Sequence, residues 1–340
     1  MKILLCIRQD YYRNFAGDSM QVLKTAECLR KLGAEVDINN GAISDYSSYD
    51  IIHLFNIIRI GETYKYYKLA NYYKKPIVVS PVYWNLNEYY KYKNNIEAVK
   101  LWEKSNVYRR KILKGCKMII ANSELERNAL KNDFKLNLPS TVIYSGVEVE
   151  DEEIPLYNFK ERHNLNSYVL CVGRICPSKN QLTLAKVCNK LGVQLLLIGN
   201  VKDENYFKEC IKFNNVLYLG FMDSYNIYNA YRFAKLHVLA SYMETPGLSS
   251  LEAAASGCNI VSTIEGTAKE YFKDMAIYCD PYDENSIFEA VQKGMKKRKI
   301  NKLKDFVLEN YSWEKHCKKL YEVYEVLKVK NTGKALNFLN

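Results

Sequence analysis

The sequence predicts an α/β protein of two units, each a parallel sheet covered by helices. Three observations predict it. Apolar runs of four to six residues alternate with longer stretches in which apolar residues recur at three-to-four spacing, the mark of βαβ units rather than hairpins. The alternation runs twice, on either side of an acidic stretch that ends in proline. The length, 340 residues, exceeds the roughly 250–300 that one core fills.

The first half opens with the apolar run Ile3–Ile7, a loop from Arg8 to Asp18, and a helix with Val22, Leu23, Ala26, Leu29 and Leu32 on one face, closed by Gly33. Further strands are predicted at Glu35–Ile38, Ile51–Leu54, Ile77–Ser80, Lys117–Ala121 and Thr141–Tyr144. Ser123 and Glu126 read as a capping box. Glu148, Glu150, Asp151, Glu152, Glu153 and Pro155 mark the candidate linker. The second half has predicted strands at Tyr168–Val172, Val193–Ile198, Val216–Leu219, Leu236–Ala240, Asn259–Ser262 and Ala276–Cys279. A last helix, Ser312–Lys330, carries Trp313, Leu320, Tyr324 and Leu327. The expected organisation is 1–150, 151–310, and a terminal helix within 311–340.

Composition bounds the function. A hydrophobic fraction of 48% excludes disorder as the main state. The ten cysteines form no Cys-x-x-Cys pair and no zinc spacing, so they are expected as reduced, packed thiols in a reducing compartment. The first apolar run is too short for a signal peptide, and no run reaches the ~18 residues that span a membrane. The expectation is therefore a soluble or peripheral cytoplasmic protein. The net charge of +11 favours an anionic partner.

Three loops are candidates for chemistry. Arg174 and Lys179 flank the turn after the strand Tyr168–Val172, where both can reach one anion together with amides at the following helix start; two solvated charges would read the same. Glu244-Thr-Pro-Gly-Leu-Ser-Ser-Leu-Glu252 follows a strand and enters a helix rich in small residues. Gly247 lets backbone approach a ligand, and the amides from Gly247 through Leu248 and Ser249 to Ser250 suit a phosphate. Glu252 could accept from a ribose diol and Glu244 from a sugar, although glutamate also favours a helix's first turn. Gly17, between strand and helix, could admit a phosphate.

Taken together, these loops resemble the GT-B glycosyltransferases. The second half is similar to the donor domain of the large retaining family called family 4. The Glu-x7-Glu pattern at Glu244 and Glu252 followed by "LEAAASG", the strand "YVLCVGR" with Lys179, "VLYLGF" and "YSWEKHCKKLYEVY" fall in that family's order. So do "GDSMQVLKTAECLRKLGAEVDI", "IIANSELERNAL" and "VIYSGVE" in the first half. The resemblance implies two nucleotide-fold domains facing across a cleft, the first holding an acceptor and the second a nucleoside-diphosphate sugar. It implies that Arg174 and Lys179 neutralise the diphosphate, that Glu252 holds the ribose, that Glu244 positions the sugar, and that Gly17 lets the first domain close on phosphate. It also implies retention of anomeric configuration, no cofactor and no metal; the chain has no Asp-x-Asp triplet.

The chain departs from the family at Glu244-Thr245-Pro246-Gly247, where Glu-Gly-Phe-Gly is common, and at Ala16-Gly17, where two glycines are usual. The family histidine after Ile77–Ser80 is missing; Pro81-Val82-Tyr83-Trp84-Asn85 stands there. His53, Tyr83 and Trp84 are the acceptor-side candidates, although a lone histidine also fits a structural role. Residues 61–117 hold thirteen Lys and Arg against four Asp and Glu, interleaved with Tyr64, Tyr66, Tyr67, Tyr72, Tyr73, Tyr89, Tyr90 and Tyr92. That mixture suits an anionic membrane face, and equally a solvated helical face. No nucleic-acid motif accompanies it. The expected function is a retaining, metal-independent transferase acting on a glycan or lipid-linked acceptor at or near the inner face of the cell membrane. The alternative is a non-catalytic sugar-nucleotide or glycan binder of the same fold. A dinucleotide oxidoreductase lacks its Gly-x-Gly-x-x-Gly fingerprint.

Overall fold

The computed structural model describes residues 1–148 and 157–331. The candidate linker, apart from Glu148, and residues 332–340 lie outside them. The chain forms two compact units. One comprises Met1–Gly146 together with the chain from Trp313 on, and the other is Val147–Ser312.

The first unit contains β1 (Lys2–Cys6), α1 (Gly17–Lys31), β2 (Glu35–Asn39), β3 (Ile51–Phe55), α2 (Ile60–Tyr72), β4 (Ile77–Ser80), α3 (Asn87–Tyr92), α4 (Ile96–Gly115), β5 (Met118–Ala121), α5 (Glu124–Phe134) and β6 (Ser140–Val142). Its strands form one parallel sheet in the order β2-β1-β3-β4-β5-β6. The strands β1, β3 and β4 read as continuous apolar runs because helices cover both faces. On one face Leu4, Ile52, Val79 and Ile119 pack with Tyr66, Tyr83 and Trp102. On the other, Ile3, Leu5 and Val78 pack with Val22, Ala26 and Leu29.

The second unit contains α6 (Phe159–Arg162), β7 (Tyr168–Val172), α7 (Gln181–Lys190), β8 (Gln194–Ile198), α8 (Glu204–Cys210), β9 (Val216–Tyr218), α9 (Ser224–Phe233), β10 (Leu236–Leu239), α10 (Leu248–Ala255), β11 (Asn259–Thr263), α11 (Ala268–Phe272), β12 (Ile277–Cys279), α12 (Glu284–Lys296) and α13 (Lys302–Asn310). Its parallel sheet runs β12-β11-β10-β7-β8-β9. All twelve predicted strands are present. The fold class is α/β with two parallel six-stranded sheets.

The final helix, α14 (Trp313–Asn331), belongs to the first unit. It is laid along α1 and buries Leu320 and Tyr324 against Ile3, Leu5 and Val22; burying a leucine of that kind contributes about 1.5–3 kcal/mol. His316 Nδ1 lies 2.8 Å from the Tyr144 carbonyl. Where the chain enters and leaves the second unit, Val147 and Ser312 run side by side, with the Val147 amide donating to the Tyr311 carbonyl at 2.8 Å.

Each sheet has one point where consecutive strands depart in opposite directions. It lies between β1 and β3 in the first unit and between β7 and β10 in the second. Loops at the carboxyl ends of strands beside such a point form a ligand crevice in α/β proteins. The two loops singled out in the second half, after β7 and after β10, flank that point.

Candidate active site

The loop after β7 is anchored before it presents its cations. The Ile175 amide donates to the Asn200 carbonyl at 2.9 Å, and Ile175 is wholly buried. A 3-10 turn, Pro177–Lys179, ends at Asn180, which adopts φ 58, a left-handed conformation that asparagine tolerates. Asn180 is fixed there by its Nδ2 donating to the Pro281 carbonyl and by its Oδ1 accepting from Thr183. The Tyr242 amide donates to the Ser178 carbonyl at 3.0 Å, which ties this loop to the one after β10. Lys179 Nζ reaches Glu244 Oε1 at 2.5 Å. The Arg174 guanidinium, half-buried, has no side-chain partner among the described residues.

Glu244 is held by its backbone. Its amide donates to the Glu265 carbonyl at 3.1 Å, and its carbonyl accepts from the Thr267 amide at 2.9 Å. Gly266 forms a parallel bridge with it at φ +114, and a Cβ at Gly266 would stand 1.9 Å from the Glu244 carbonyl oxygen. Only glycine fits there. The Thr245–Pro246 peptide is cis. Gly247 then starts α10 from the left-handed region, φ 84. Its carbonyl accepts from the Ser250 and Leu251 amides, and no side chain caps the helix. The Leu248 and Ser249 amides are thus left pointing out of the helix end, where partial positive charge gathers.

Glu252 sits one turn into α10 and keeps part of its surface open. Tyr231, on α9 and 1% exposed, donates its hydroxyl to Glu252 Oε2 at 3.1 Å. Burial pushes the Glu252 carboxyl up to about 7, and the Tyr231 bond works the other way. Behind them lies His237 of β10, 0% exposed, with Nδ1 3.4 Å from Ser250 Oγ and its ring edge-on to Tyr231. Burial, with Lys179 as the smaller cause, pushes His237 down to about 3.

The second unit therefore brings Arg174, Lys179, Glu244, Gly247, Leu248, Ser249 and Glu252 onto the loops after β7 and β10 and the helix that follows. The first unit places its candidates differently. Gly17 is exposed as the first residue of α1. His53 and Tyr83, expected on the acceptor side, are instead buried in the first unit with their polar atoms engaged internally. His53 is wholly buried, with Nδ1 2.5 Å from the Tyr324 hydroxyl, Nε2 2.9 Å from Ser80 Oγ, and its ring stacked on Phe55. Both nitrogens are used internally, and burial, then His316, lowers its pKa well below the ordinary value. Tyr83 is also wholly buried. Its ring stacks on Trp102, its hydroxyl donates to Asp133 at 2.7 Å, and its amide donates to Glu126 at 2.6 Å. Trp84 is half-buried.

The ten cysteines are free, and nine are buried. Burial pushes thiols such as Cys171 and Cys279 up to about 12, so they stay protonated. Among the described residues no cluster of His, Cys, Asp and Glu could hold a metal ion. Sequence reading missed Gly266, for which the signal was a glycine just beyond a strand end. It also missed Tyr231, whose bond spans 21 positions.

Residues 153–313 match the family model "Glycosyl transferases group 1". An uncharacterized glycosyltransferase of Methanocaldococcus jannaschii is 25% identical over 54% of this chain and 53% of its own length, so the chain spans about half of that relative. The sucrose-phosphate synthase of Thermosynechococcus elongatus superposes with a TM-score of 0.81 at 17% identity, over 97% of this chain and 100% of that one. Anabaena HepE, solved in complex with UDP and glucose, gives 0.73 at 16%, over 96% and 100%. The chain has the GT-B fold of these structures, and residues 153–313 of its second unit are similar to the glycosyl transferases group 1.

Proposed function

We propose that this protein is a retaining, metal-independent glycosyltransferase that moves a sugar from a nucleoside-diphosphate sugar to a glycan or lipid-linked acceptor in cell-surface polysaccharide or glycolipid synthesis. The observation that carries the reading is that the loops after the neighbouring strands β7 and β10, beside the switch point of the second sheet, carry Arg174, which has no side-chain partner among the described residues, the Lys179–Glu244 pair, the uncapped α10 amides and the part-open Glu252. HepE, with UDP and glucose bound, supports a uridine nucleotide as the first donor to try.

Each group has a task in this reading. Arg174, Lys179 and the Leu248 and Ser249 amides stabilise the diphosphate as the glycosidic bond breaks and negative charge grows on it. Removing one such donor costs about 10²–10³ in rate. Glu252 accepts from the ribose. Glu244 orients the sugar and fixes Lys179. No carboxylate serves as a nucleophile. The leaving phosphate takes the acceptor proton on the same face that the acceptor attacks, which preserves configuration.

The acceptor would be held by the first unit, near a membrane. The solvent stripe of α4 carries Ile96, Lys100, Glu103, Lys104, Val107, Lys111 and Lys114, all exposed, opposite buried Trp102, Arg109 and Leu113. Ile96 and Val107 are 68% and 57% exposed. Apolar residues spaced along a row of lysines fit an anionic bilayer surface at about 1 kcal/mol per lysine. Among the described residues no helix is long and apolar enough to cross a membrane.

The test is release of nucleoside diphosphate from UDP-, GDP- and ADP-sugars in the presence of anionic vesicles carrying lipid-linked glycans. EDTA-insensitive turnover with retained configuration in the product is expected, with Arg174→Ala reducing it about 10³-fold. Donor binding without turnover would favour the non-catalytic alternative.

A further inference from the structure

We propose that Tyr231 is a positioning residue of the nucleotide site, whose hydroxyl holds Glu252 in the orientation that receives the ribose diol. The inference rests on the assignment of Glu252 to the ribose and adds what governs it. Tyr231 spends its only donor on Glu252 Oε2 at 3.1 Å. Oε1 takes no hydrogen bond from the described residues, and Glu252 is not sealed from solvent. One oxygen is thus fixed by the protein and the other is left for a ligand. A diol that donates two hydrogen bonds needs a carboxylate; the acid form has lost one acceptor.

The surroundings leave Tyr231 in control. The elements packed on α10 are α9, β10, β11 and α13. The α9 helix supplies Tyr231, held protonated by burial and then by the Glu252 charge, and also carries Arg232. The β10 strand supplies His237, neutral across the working range. The β11 strand has no titratable group. The α13 helix carries Lys302, Lys304, Asp305 and Glu309. Neither Arg232 nor any of the α13 groups is within hydrogen-bonding or ion-pair reach of Glu252. The opposing influences on Glu252 are burial, which favours the acid, and Tyr231, which favours the carboxylate. Removing the hydroxyl moves the balance toward the acid.

The experiment is titration of UDP, with GDP and ADP in parallel, into the wild-type protein, Tyr231→Phe and Glu252→Ala between pH 5.5 and 8.5. Affinity of the wild type should fall as pH drops through about 7. Tyr231→Phe should move that midpoint up by about one pH unit, weaken binding at least about fivefold near pH 7, and leave a smaller deficit at the alkaline end, where only the orienting bond is lost. Ionisation of the ligand's own phosphate is common to both proteins and cancels in the difference. With 2′,3′-dideoxy-UDP the difference between Tyr231→Phe and wild type should vanish, which a merely structural tyrosine would not produce. Equal midpoints in the two proteins, or a difference that persists with the dideoxy ligand, overturns the proposal. If Glu252→Ala binds as tightly as wild type, or no nucleotide binds, the ribose assignment itself has failed, and this outcome is distinct from the other two.

Discussion

Two arginines occupy matching places in the two units and do opposite things. Arg8 stands two residues after β1, and Arg174 two residues after β7; each strand borders its sheet's switch point. Arg8 is 4% exposed and its donors are committed within the unit. Nε and one terminal nitrogen grip Asp18 at 2.8 and 2.9 Å, that nitrogen also reaches Asn14 and Ser19, and the other reaches Asp10. Asn56, in the loop after β3, adds a bond to Asp18 at 2.9 Å. Burial opposes ionisation of Asp10, but bonds from Arg8, Asn14 and Arg59 outweigh it and hold that carboxyl below its ordinary range. Arg174 has none of this. The same topological position carries a saturated cation that builds a loop in one unit and an uncommitted cation that can meet a ligand in the other. Satisfaction of the donors, rather than residue type or place, is what differs between them.

The largest effect that would sharpen this contrast is on stability. Arg8→Ala leaves Asp18 buried and uncompensated, and should lower unfolding stability by about 3–5 kcal/mol. Urea unfolding measures it, and a loss below 1 kcal/mol would mean that the network is not what holds the β1 loop. Next is Gly266→Ala, which forces a Cβ onto the Glu244 carbonyl. It should cost about 2–3 kcal/mol through backbone strain and lower turnover beyond the loss of folded protein, because Glu244 is displaced; turnover per folded molecule is the readout. The smallest is a pH effect at Glu252. Its folded pKa is raised, to about 7, so the stability it contributes is full below the unfolded value and is lost as pH rises through about 7. Glu252→Gln should therefore melt higher than wild type at pH 8 and equal to it near pH 4.5, while binding nucleotide more weakly, as expected of a site that sacrifices stability for function.

Much of the fold was legible because its signals are local. Runs such as Ile3–Ile7 and Tyr168–Val172 are apolar throughout, which a strand covered on both faces requires. The helix stripe from Val22 to Leu29 shows a 3.6-residue period. Ser123 Oγ accepts the Glu126 amide as the capping pattern predicts, at 2.9 Å, while the Glu126 carboxylate also accepts amides from Asn122 and Tyr83. The second-unit site was legible for a related reason, since a loop and the helix end it feeds are consecutive in sequence. The first-unit candidates were not. His53 lies 271 positions from Tyr324 and 27 from Ser80, and nothing near it in sequence announces those partners. Tyr83 looked available because it follows a strand, and it is buried because Trp102, Phe134 and Asp133 close over it. Residues that share a turn reveal their relation in sequence; residues joined by packing do not.

The most direct test of the central claim is thermal unfolding in UDP, GDP and ADP, with and without EDTA, for the wild type and Arg174→Ala. At a hundredfold excess over its dissociation constant, a ligand that binds only the folded state raises stability by about 2.7 kcal/mol. The account predicts that one nucleoside diphosphate raises the melting temperature of the wild type, that EDTA leaves the shift intact, and that Arg174→Ala removes most of it without lowering the melting temperature of the free protein. An undiminished shift in Arg174→Ala would contradict the account.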